Sequence, residues 1–130
     1  MLVVQDWVLF LGHVVVVLFN MFGWIWRRTR VLHLITMSLT ACSWFALGAI
    51  YGWGYCFCTD YHAHILRQLN DPDANLTFIQ LIFKRLFGIS LDQSFADNLA
   101  IIVFVLILIA TFIVWTRDLI HRKSDAHSSA

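Results

Sequence analysis

Residues 99–115 read LAIIVFVLILIATFIVW, an unbroken apolar run in which Thr111 is the only strongly polar side chain. A bilayer has a hydrocarbon core about 30 Å thick, crossed by about 20 helical residues. Backbone in hydrocarbon finds no water to bond, so such a run closes its own hydrogen bonds as a helix. Working outward, residues 3–26 and 31–55 have the same length and apolar character. The whole chain agrees: 60% of its 130 residues are hydrophobic and 13% charged, with eleven Phe and six Trp. A soluble domain carries about 45–50% apolar and about 25% charged residues. Disorder and low-complexity folds are excluded by the apolar content, the single Pro and the six Gly. A formal net charge of +1 offers no electrostatic basis for binding nucleic acid. The sequence therefore predicts an all-α membrane protein with the lipid bilayer as its main partner. Three transmembrane helices (3–26, 31–55 and 99–116) form a single membrane domain over 1–123, followed by a polar tail at 124–130.

The first two spans are joined by Arg27-Arg28-Thr29-Arg30. A connection this short forces an antiparallel helical hairpin. Arg117, Arg122 and Lys123 follow the third span, so six of the nine basic residues collect at one membrane face. The positive-inside bias then places the N-terminus outside and the C-terminus in the cytoplasm. The first span is not read as a secretory leader, because its basic residues follow the apolar run instead of preceding it. Trp24, Trp26, Trp53, Tyr55 and Trp115 fall at span ends, as an aromatic belt requires.

The loop between spans two and three is expected to hold short amphipathic helices over about 59–90, lying at the outer interface. Asn70-Asp71-Pro72-Asp73 marks a turn. Before it, Thr59 is expected to cap a helix whose apolar face is Tyr61, Ile65 and Leu69. After it, Ile79, Ile82, Phe83 and Leu86 define an apolar face opposite Gln80 and Lys84. A short fourth span is the competing reading, at the cost of burying Lys84 and Arg85. Ser94-x-x-Asp97 is expected to start the third span as a capping box.

Asp6, His13, Asn20 and Arg27 recur every seven residues, on nearly one side of the first span. Such a stripe faces protein or water, because lipid penalises it. Two readings stay open. One is a polar seam of Asp6, His13, Asn20, His33 and Thr40 between the first two spans. The other is a ligand, cofactor or proton site centred on His13. Gly48-x-x-x-Gly52 favours close approach in the second span. His13 and His33 would lie at different depths, about 20 Å and about 5 Å from the inner face at 1.5 Å per residue, which disfavours a shared bis-histidine haem.

The densest group of candidate ligands is Cys56-Phe57-Cys58-Thr59-Asp60-Tyr61-His62-Ala63-His64. Thiolate and imidazole suit zinc or copper, which makes Cys56, Cys58, His62 and His64 candidate metal ligands. The spacing matches no established zinc pattern, and the same residues also read as the start of a helix with Asp60 in its first turn.

These residues resemble a family of small bacterial membrane proteins classed as a domain of unknown function. Its members share a histidine in the first helix, a His-Leu pair opening the second, then Cys-Pro-Leu-Thr with an acidic or aromatic–histidine group. A Phe-Ile segment precedes the last span. The matching positions are His13, His33-Leu34, Cys56 with Thr59 and His62, and Phe78-Ile79, within about residues 5–120. Phe57-Cys58 stands where Pro-Leu is usual. The resemblance implies a bacterial inner-membrane location and no particular activity.

Two functions are compatible with this sequence. The first is a non-enzymatic scaffold or accessory subunit without cofactor, associating with itself or with another membrane protein. The chain has no Glu and no recognisable Ser-His-Asp, phosphate-loop or standard metal motif. The second is a redox or transport protein that binds zinc, copper or haem through His13, Cys56, Cys58, His62 and His64.

Overall fold

The computed structural model describes residues 1–52 and 54–128, the last four of these by backbone alone. The belt position expected of Trp53 and the end of the polar tail lie outside the described residues. Three helices are long and apolar enough to cross a membrane. Helix α1 is Leu2–Phe22, α2 is Arg30–Tyr51, and α5, the longest, is Gln93–Ser128. Between α2 and α5 lie two short helices, α3 (Phe57–Gln68) and α4 (Phe78–Phe87), joined by a 3-10 turn at Pro72–Asn75. At ten residues α4 is too short to span. The protein is all-helical among the described residues.

The hairpin turn begins earlier than the apolar run ends. The chain leaves α1 at Gly23, and Thr29 Oγ1 donates to the Gly23 carbonyl at 2.7 Å, closing the turn before α2. Gly23 allows this closeness. A Cβ there would lie 2.6 Å from the Phe19 carbonyl oxygen and 3.2 Å from both Cβ and Nδ1 of His33. Gly23→Ala is expected to push α1 and α2 apart and to lower stability by about 1–3 kcal/mol, the usual range for overpacking. Unfolding in mixed detergent measures it, and an unchanged midpoint would contradict the contact.

Helix α2 widens into a single π turn at Ser43–Leu47, where one extra residue enters the spiral. It stops at Tyr51 because Gly52 takes φ +114°, a conformation open to glycine and strained for other residues. Side-chain contacts between the spans tie the bundle together. Asn20 donates to Thr40 Oγ1 at 3.0 Å and accepts from Thr36 Oγ1 at 2.7 Å, clamping α1 to α2. His33 meets Thr111 of α5 at 2.9 Å. Trp44 stacks on Phe104 with ring centroids 4.5 Å apart. Outside these seams the spans expose their apolar side chains, among them Val8, Leu39, Leu106 and Phe112. Exposed apolar surface is ordinary where lipid, not water, is the neighbour.

Arg30 pairs with Asp118, so the basic residues of the hairpin turn and those in the C-terminal part of α5 share one end of the bundle. Helices α3 and α4 pack at the opposite end, against the N-terminal half of α1. Their core is Phe10, Leu66, Ala74, Phe78 and Leu81.

Several local expectations are corrected by this packing. Helix α3 starts at Phe57 with Cys56 as N-cap, two residues before Thr59. Its buried face is His62, Ile65 and Leu66, whereas Tyr61 is exposed, because the helix docks on α1 through the side that carries His62. In α4 the buried residues are Phe78, Gln80 and Leu81, and Leu86 is exposed. Gln80 tolerates burial because it is fully engaged: its Oε1 accepts from the Thr77 backbone N–H at 2.9 Å, and its Nε2 donates to the Leu91 carbonyl at 3.0 Å. Thr77-x-x-Gln80 is thus a helix start of the capping-box type. Helix α5 is capped by Asp92, whose carboxylate accepts from the N–H groups of Ser94 and Phe95, and not by Ser94 with Asp97.

Candidate functional site

The polar stripe of α1 does not serve one seam. Its members divide between two sets of partners. Asn20 faces Thr36 and Thr40 of α2. His13 and Asp6 face the two short helices instead, and His33 turns away from α1's stripe towards Thr111.

Asp6 is the centre of a buried charged cluster. Its carboxylate lies 2.6 Å from His62 Nε2 and 3.1 Å from Arg85. Arg85 also approaches Asp71 at 3.9 Å. The side chains of Asp6 and His62 are 7% and 3% exposed, so this pair is shut off from solvent. The Arg85 guanidinium lies against Trp7 and Phe10, 5.4 and 5.1 Å from their ring centroids. Aromatic faces stabilise a cation in such a position. The cluster thereby fastens α3 and α4 to the first turns of α1.

His13 lies seven residues, about two turns, further along α1. Its ring packs against Phe78, tilted by 33° at a centroid distance of 3.9 Å, and is half-buried. There it meets the start of α3. One ligand atom each of His13, Cys56 and Cys58 all lie within 4.8 Å of one another. Cys56 is half-buried and Cys58 exposed, and both are free thiols. Cys56 occupies the helix cap in extended backbone, which turns the Cys-x-Cys pair towards α1. Burial, followed by the neighbouring Cys56, pushes the Cys58 thiol above its ordinary range. Partial desolvation and a hydrogen bond to Asp60 do the same for the Tyr55 hydroxyl.

The remaining candidates lie elsewhere. His62 is committed to Asp6. His64 is exposed and sits 3.1 Å from Gln68 Nε2. The structure thus draws His13 into the thiol pair and leaves His62 and His64 outside it. Arg85 and Asp71 line the charged cluster, whereas the sequence reads them only as a charge that a fourth span would have to bury and as part of a turn. The signals available are a basic pair, Lys84-Arg85, in a largely apolar helix and an aspartate beside the single proline.

Residues 2–116 match the family described as a protein of unknown function, DUF2784, and the chain belongs to that family. No curated protein and no solved structure matches the chain.

Proposed function

We propose that this DUF2784 member is an integral protein of a bacterial inner membrane that binds a soft metal ion at the outer end of its helical hairpin. The N-terminus lies outside and the C-terminus in the cytoplasm. One observation carries the metal reading: His13, from the first span, and Cys56 and Cys58, some forty residues away in sequence, present their ligand atoms within 4.8 Å of one another. Thiolate and imidazole are the donors that zinc and copper favour. Three donors converging on a point suit a bare ion, whereas haem needs axial ligands on its faces. The orientation follows from the shared end of Arg27, Arg28, Arg30, Arg117, Arg122 and Lys123, which the Arg30–Asp118 pair holds together.

The scaffold or accessory-subunit reading rests on the lack of a recognisable catalytic, phosphate-loop or standard metal motif in the sequence. It has no equivalent geometric support.

Purification in mild detergent under reducing conditions, followed by metal titration against a chelator, tests the proposal. About one zinc or copper ion per chain is expected. His13→Ala and Cys56→Ala should each weaken binding by more than the about 10–100-fold that a merely supporting residue costs. His64→Ala should leave it unchanged, since that ring points to Gln68. Circular dichroism checks that the variants keep their helices. Wild-type protein that takes up neither metal would overturn the reading.

A further inference from the structure

Resting on that metal-binding reading, we infer that the ion is monovalent copper, held three-coordinate by Cys56 Sγ, Cys58 Sγ and a ring nitrogen of His13. The argument is a count of donors. A structural zinc site needs four protein ligands in a tetrahedron, and a zinc site with three keeps an open position for water. At this site every further candidate is engaged or turned away. His62 Nε2 is on Asp6 at 2.6 Å. The Asp60 carboxylate accepts from the Tyr55 hydroxyl at 3.0 Å, and His64 lies beside Gln68. No other His, Cys or Asp joins His13, Cys56 and Cys58 as a compact group among the described residues.

Two of the three donors are thiolates, the softest ligands a protein offers. Such donors suit monovalent copper as well as zinc, and a set of only three is complete for the copper ion but leaves zinc a position to be filled by water. The surroundings favour an ion that needs no water. Phe78 covers the His13 ring at 3.9 Å between centroids, and Phe78 itself is buried. Cys58 is exposed, so an ion enters from its side and is then enclosed by Cys56 and His13. Binding balances simply: one copper(I) ion enters and the two thiol protons leave to solvent, with no change in oxidation state.

The experiment uses full-length protein in detergent, oxygen-free, with copper(I) and zinc(II) as separate probes. Each is titrated against a competing chelator, and the copper-loaded protein is then examined by X-ray absorption. One copper per chain, bound more tightly than zinc by orders of magnitude and surrounded by two sulfurs and one nitrogen, is the expected result. His13→Ala should remove the nitrogen while the sulfurs persist. The wild-type spectrum carries the test even if that variant does not fold. Zinc bound as tightly as copper, or a fourth oxygen or nitrogen around copper, would overturn the copper assignment and leave metal binding intact. Uptake of neither ion would overturn both.

Discussion

Asp6→Leu will lower the stability of this protein by about 3–5 kcal/mol, the cost of removing one partner from a buried ion pair. The carboxylate is the common acceptor for His62 at 2.6 Å and Arg85 at 3.1 Å. Without it, the one carboxylate left near Arg85 among the described residues is Asp71, at 3.9 Å, while the arginine side chain is 15% exposed. The damage comes from the stranded cation more than from the lost attraction. Asp6→Leu combined with Arg85→Met should therefore recover much of the loss, because a well-packed apolar replacement of a buried pair is often neutral. Denaturant unfolding in mixed micelles reads both variants. A loss under about 1 kcal/mol for Asp6→Leu would place the pair in the class of surface salt bridges and refute its role as a fastener.

The second large effect belongs to Phe10. Its side chain is fully buried, at 0% exposure, at the centre of the cluster with Leu66, Ala74, Phe78 and Leu81. It also supports the Arg85 guanidinium at 5.1 Å. Truncating a buried Phe to Ala costs about 3–5 kcal/mol. Here the cost should fall locally, since the buried residues clustered with Phe10 come from the short helices and the turn between them. Hydrogen exchange should rise across α3 and α4 in Phe10→Ala while the amides of α5 remain protected. Leu106→Ala, on a face of α5 that is 60% exposed, is the control and should change little. Equal deprotection of all five helices would show that the short helices do not open as a separate unit.

The spans were legible because lipid imposes one requirement on every residue of a crossing helix, and the run at 99–115 satisfies it without ambiguity. The hairpin was legible for a similar reason: a connection as short as Arg27–Arg30 leaves no other geometry. Burial in α3 and α4 was harder to read. Both helices have apolar residues on more than one side, with one side meeting protein and another free for lipid. Periodicity alone does not say which. In α4 it favoured Ile79, Ile82, Phe83 and Leu86 over the Phe78, Gln80 and Leu81 that are buried. Gln80 reads as solvent-facing until its partners, the Thr77 amide and the Leu91 carbonyl, are known.

The candidate site was legible in pieces. His13 stood out as a histidine deep in an apolar span, and Cys56 and Cys58 as a thiol pair. Grouping them required the fold-back of α3 along α1, a tertiary fact that no local pattern encodes. The same fold-back sends His62 to Asp6 and His64 outward, separating two histidines that are only two residues apart in sequence. A helix turns about 200° over two residues, so proximity in the chain works against a shared ligand role there.

The fastening of α1 by residues far downstream also sets a schedule for biogenesis. Asp6 leaves the ribosome 56 residues before His62 and 79 before Arg85. At the usual pace of about 5–20 residues per second, the carboxylate waits roughly 4–16 s for its guanidinium. A nascent chain halted before Arg85 would hold Asp6 against His62 alone, without the guanidinium that completes the cluster.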